Sequence, residues 1–156
     1  MSKILHKQFG LAKAAPTLDA ATFVASTNAV DRYNDVVDQS WDLSAYNANP
    51  VIQIDHSYRV EDTVGRGAAR VEAGQLLVEI TWGKDAKSQA VAQKVMDGLI
   101  SAVSVGFMAG RSVPRSSLPS TDPLFSQEWG YVHYDNQLLE VSVVDRKSTR
   151  LNSSHT

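Results

Sequence analysis

A mainly β fold, a barrel or sandwich with flanking helices in the α+β class, is what this sequence predicts. Short β-rich runs recur along most of its 156 residues, a single central segment carries helical spacing, and strands and helices do not alternate regularly. With 43% hydrophobic residues the chain can bury one respectable core, and no Pro/Gly-rich hinge splits it into comparable halves. One domain over residues 1–144 is expected, its core running from about 18 to 144.

Along the chain, "ATFVASTNAV" (21–30) and "DVVDQS" (35–40) are β-rich and separated by "DRYN", whose Asp and Asn favour a turn. "WDLSAYNANP" (41–50) reads as a short helical turn or loop ended at Asn49-Pro50, because the residue before proline is pushed out of the α region. "VIQIDHS" reads as a strand. The stretch 63–82 reads as two strands joined near Ala73-Gly74, a hairpin. From Asp85 to Gly98, Val91, Val95 and Leu99 recur every four residues beside Ala92 and Met96, which predicts an amphipathic helix stopped by Gly98. "SAVSVGFM" (101–108) is an apolar strand. Residues 111–136, rich in Pro and Ser, are expected to be an irregular excursion with a short hairpin near Trp129 to Tyr134, after which "QLLEVSVV" (137–144) returns to strand.

The end of the chain reads differently. "DRKSTRLNSSHT" (145–156) is polar and patternless, and up to His155 it matches the translation of a common sequencing adapter, so it is set aside and the natural C-terminus is expected to be absent. Without Asp145, Arg146, Lys147 and Arg150, the body holds 16 acidic against 12 basic residues, a formal charge of −4. Nothing in that balance attracts nucleic acid. The absence of cysteine excludes disulfides, thiolate zinc sites and cysteine nucleophiles. No signal-peptide core or membrane span is visible in the sequence, so a soluble cytoplasmic protein is expected.

Two serines, Ser101 and Ser104, interrupt the apolar strand. In a strand, Ser101, Val103, Val105 and Phe107 would share a core face, leaving Ser104 between Ala102 and Gly106 on the other. Little bulk would then cover its hydroxyl, and a backbone could approach over Gly106, which makes Ser104 the better nucleophile. A helix packed on the same strand would equally account for three small residues. A serine needs a base to take its proton. Of the four histidines, His155 lies in the adapter-like tail and His6 near the N-terminus; His56 ends "VIQIDH" at the rim of an apolar face, and His133 lies in the excursion. An acid should orient the imidazole. Glu140 sits on the polar side of "LLEVSVV", with Asp135 and His133 as substitutes. Each of these residues also has an ordinary structural explanation. No H-E-x-x-H, P-loop or G-x-S-x-G motif is present, "DRYND" lacks the features of an EF-hand loop, and the lack of paired ligands speaks against a metal-dependent hydrolase.

Taken in order, "TFVASTNAVDRYNDVVD", "NPVIQIDHS", "VGR", "MDGLISAVSVGF" and "LLEVSVV" resemble the prohead (capsid-maturation) serine proteases of tailed phages, related in fold to the herpesvirus assemblins. The resemblance runs from about Thr22 to Val144. It implies a herpesvirus-protease-like, mostly antiparallel β-barrel, with His56 as general base, Ser104 as nucleophile and Glu140 as orienting acid, and His133 or Asp135 as alternative third members. It further implies a serine endopeptidase acting on scaffold and major capsid protein segments, inside the immature procapsid in the host cytoplasm. No cofactor, metal, nucleic acid or membrane is implied, and a homodimer is allowed. The alternative is a catalytically inactive assembly or scaffold-binding module on the same barrel.

Overall fold

Burial alternates along residues 20–25 and 78–82, as strand pleating requires. The computed structural model describes residues 4–10 and 15–144, with 6–10 as backbone only; the tail 145–156 lies outside the described residues. Strands β1 (Ile4–Gly10), β2 (Ala20–Ser26), β3 (Val36–Val37) and β4 (Trp41–Asp42) precede helix α1 (Ser44–Ala48) and strand β5 (Val51–Ile54). Then come β6 (Thr63–Glu72), β7 (Gln75–Trp82), helix α2 (Ala86–Met96), β8 (Ala102–Pro114) and β9 (Tyr131–Val144).

The strands form one strongly curled, half-barrel sheet in the order β1-β8-β9-β5-β6-β7-β2, with β3 and β4 also paired to β9. Pairing along that path is antiparallel except between β5 and β9; β3 and β4 also run parallel to β9. The end strands β1 and β2 lie against each other without pairing. Inside the curl, Phe23, Ile52, Val64, Leu76, Val78, Ile80, Trp82, Val105, Phe107, Leu138 and Val141 pack into one apolar cluster. Among the described residues no helix is long and apolar enough to cross a membrane.

Local chemistry accounts for several elements. Ala73 and Gly74 both have positive φ, 51° and 74°, and join Glu72 to its partner Gln75. A two-residue hairpin turn with φ positive at both positions matches the right-handed twist of its strands, so the expected hairpin forms there. Helix α2 starts where the Asp85 carboxylate accepts the Ser88 amide (3.2 Å) and the Ser88 hydroxyl (2.6 Å). It stops where Gly98 turns left-handed at φ 75° and the Leu99 and Ile100 amides return to the Lys94 carbonyl. Ala92 and Val95 bury its apolar side. Helix α1 docks through Tyr46, whose buried hydroxyl donates to the Val51 carbonyl at 3.0 Å; burial holds this phenol well above its ordinary range.

The structure departs from the sequence reading in three places. The N-terminal segment forms β1, zipped to the outer edge of β8 from Ile4↔Met108 to Gly10↔Ala102; its residues lack clean alternation, and the backbone edge of β8 supplies the pairing. The excursion is shorter than expected, because β8 runs through Pro114 and β9 begins at Tyr131, leaving 115–130 without strand beyond one short 3-10 turn at Arg115–Ser117. Tyr131 to Tyr134 are part of β9, not a separate hairpin. Cross-strand partners Val113↔Val132 and Ser112↔His133 extend the ladder through a segment whose composition suggested loop. Residues 115–130 are tied down by Arg115, which is buried and donates to the carbonyls of Leu124 (2.8 Å) and Asn34 (3.0 Å) and to the Asn34 side chain (2.7 Å). Finally, β5 ends at Ile54, so His56 does not continue a strand face.

Candidate active site

Beyond Ile54 the chain turns sharply through Asp55 and His56, both left-handed at φ 50° and 60°. Left-handed backbone is costly for a residue other than glycine and persists only where surroundings hold it. Three bonds do so here. The Asp55 amide donates to the Val143 carbonyl (3.0 Å), the His56 amide to the Ser142 hydroxyl (2.9 Å), and the Ser57 amide to the Ile54 carbonyl (2.9 Å). The turn swings the imidazole over the face of the sheet formed by β8 and β9.

Below that ring lies Ser104, on β8, directly across the ladder from Ser142 on β9. Its Oγ is 3.0 Å from His56 Nε2. The other ring nitrogen, Nδ1, pairs with Glu140 Oε1 on β9. A carboxylate only accepts hydrogen bonds, so the proton of a neutral ring sits on Nδ1 and Nε2 faces the serine hydroxyl as an acceptor. Ser104 and Glu140 are buried, whereas the imidazole keeps 29% of its side chain exposed. Solvent therefore meets this set at the ring.

A bulge aims the carboxylate. Gly106 faces Glu140, but the next β8 residue, Phe107, faces Leu138, so Leu139 is an extra residue on β9. Simple alternation would have buried Leu139 with Val141 and Val143; the bulge shifts the phase, and Leu138 fills the core while Leu139 is only half-buried. Gly106 makes the space: a Cβ there would lie 2.7 Å from Glu140 Cγ and 3.1 Å from Oε1. Tyr58, two residues after the imidazole, is largely exposed; what burial it has, followed by the negative charge of Glu140, raises its phenol above the ordinary range.

His56, Ser104 and Glu140 are thus brought together, while His133 and Asp135 are placed elsewhere. His133 is buried between Ser112 and Asp35, and Asp135 is exposed on the rim facing Arg111. Ser142, the clamp on the His56 amide, escaped sequence reading, and Gly106, read there as room for an approaching backbone, instead makes room for Glu140. Their signal was present as a serine and a glycine inside apolar strands, but their partners are far away in sequence. Among the described residues no group of three or more His, Asp or Glu side chains is arranged to hold a metal ion.

No protein-family model matches this chain, and no curated protein matches its sequence. Its fold is similar to that of the capsid assembly protease gp21 of bacteriophage T4, with a TM-score of 0.65 over 94% of this chain and 99% of that one, at 10% sequence identity. The chain therefore has a phage prohead protease fold.

Proposed function

We propose that this chain is a serine endopeptidase that cleaves scaffold or major capsid protein segments during phage procapsid maturation. The observation that carries the reading is the series Glu140–His56–Ser104, with Ser104 Oγ 3.0 Å from the unprotonated ring nitrogen. The likeness to a capsid assembly protease supports the substrate class and a working place inside the immature procapsid; that procapsid, in our proposal, lies in the cytoplasm of an infected host.

In this reading Ser104 Oγ bonds to the scissile carbonyl carbon as its proton passes to His56 Nε2. Collapse of the tetrahedral intermediate breaks the C–N bond, and the same nitrogen returns the proton to the departing amine. Glu140 keeps the ring in its useful tautomer and stabilises the imidazolium. Water, deprotonated by His56, then releases the acyl chain. The substrate enters at the exposed ring edge, since the hydroxyl itself is buried.

The test pairs a fluorophosphonate label with cleavage of a cognate capsid or scaffold protein. Wild type should label at Ser104 and cleave, and Ser104→Ala should lose the label at that position together with cleavage, with turnover down about 10⁴-fold or more. Cleavage that survives Ser104→Ala overturns the nucleophile. Binding of scaffold without cleavage or labelling by wild type would make the chain an inert assembly module instead.

A further inference from the structure

Ser112, His133 and Asp35 form a second hydroxyl–imidazole–carboxylate series. Ser112 Oγ lies 2.7 Å from His133 Nδ1, and His133 Nε2 lies 3.3 Å from Asp35 Oδ2. Ser112 and His133 face each other across β8 and β9. Ser112 is eight residues beyond Ser104 on the same strand, roughly 26 Å at the usual rise of a strand. The two hydroxyls cannot serve one carbonyl.

The second series is held from its buried end. The Tyr131 amide donates to Asp35 Oδ1 at 2.8 Å, and Asp35 and His133 are 7% and 5% exposed. Stacking on Tyr131 and an edge contact with Phe107 fix the plane of the imidazole. Because the carboxylate only accepts, the ring proton belongs on Nε2, and Nδ1 presents its lone pair to Ser112. Ser112, unlike its two partners, is exposed. Bracing the fold needs only the buried Asp35–His133–Tyr131 part, since water can satisfy an exposed hydroxyl. What the arrangement adds is a base aimed at an accessible nucleophile.

We propose that Ser112 is a second, independent nucleophile that accepts acyl groups from activated carboxylic esters, with His133 as its base and Asp35 as the positioning residue. Ser112 Oγ bonds to the ester carbonyl carbon while its proton moves to His133 Nδ1. The carbonyl–oxygen bond to the alcohol or phenol then breaks, and the leaving oxygen takes that proton. Water activated by the same nitrogen releases the carboxylic acid and restores the serine.

The experiment uses the full chain carrying Ser104→Ala, treated with p-nitrophenyl acetate, with acetylated peptides mapped by mass spectrometry. Ser112 should acetylate about 10²-fold or more faster than the exposed Ser116 on the same molecule, the usual reach of a positioned base. Adding Ser112→Ala should remove the fast phase of p-nitrophenolate release, and adding His133→Gln should slow Ser112 to the rate of Ser116. Acetylation of Ser112 no faster than Ser116 overturns the proposal, and this comparison within one folded protein does not depend on whether the His133 variant folds. Persistence of the fast phase in a His133→Gln protein with an unchanged melting midpoint overturns the role of the base.

Discussion

Ser142 Oγ accepts the main-chain N–H of His56 at 2.9 Å from a position directly across the ladder from Ser104. One strand pair therefore carries the proposed nucleophile and also the hydroxyl that fixes the imidazole above it. Ser142 is fully buried and holds a left-handed residue. Its removal frees the turn without touching any reacting atom. Ser142→Ala should lower kcat about 10²-fold, the scale of a misplacement near 1 Å, with KM little changed. Steady-state kinetics on a peptide substrate check this; a rise in KM alone would assign Ser142 to binding.

Glu140 pairs with the imidazole, and Asp135 and His133 lie away from it. Glu140→Gln presents an amide where a carboxylate selected the tautomer, so turnover should fall by about 10²–10⁴. Asp135→Asn should leave turnover within about twofold, because surface substitutions away from such features act weakly. The two variants measured side by side decide the third member.

At Gly106 the room for Glu140 is a missing Cβ. Gly106→Ala must displace the carboxylate or the strand, with an overpacking cost of about 1–3 kcal/mol. Activity should drop more than that loss of stability explains. Comparing the labelling rate at Ser104 with the urea midpoint separates the two effects.

Residues 115–130 depend on Arg115, whose guanidinium satisfies three oxygens on Asn34 and Leu124. Arg115→Ala leaves those acceptors, on half-buried Asn34 and Leu124, without their donor, each costing about 1–3 kcal/mol where water cannot reach it. Limited proteolysis should then cut within 115–130 while the strands survive. Resistance equal to wild type would show that other contacts suffice.

Acid weakens the start of α2 in a defined direction. The Ser88 hydroxyl, then its amide, holds the Asp85 carboxyl below its ordinary range. A carboxyl whose folded value is depressed stabilises above its unfolded value of about 3.9, and that contribution fades as pH falls through the folded value. Asp85→Ala should therefore melt below wild type at pH 6, and the gap should narrow below about pH 4. Thermal scans across that range check the sign.

Through a family resemblance the sequence named His56, Ser104 and Glu140, with His133 and Asp135 left open as third members; by itself it determined the β-rich class, the Ala73-Gly74 hairpin and the α2 helix from Asp85 to Gly98. These features are set by neighbours a few residues apart: turn conformation, capping and periodicity. Only the tertiary structure decided that the N-terminal segment pairs with β8, that Leu139 bulges and moves Leu138 into the core, and that His56 leaves its strand in a left-handed turn. It also chose Glu140 over His133 and Asp135 beside His56, and gave His133 a different serine. The partners of His56 stand 48, 84 and 86 residues away. Curling the sheet brings such residues together, and no local preference along the chain encodes how far that curl goes.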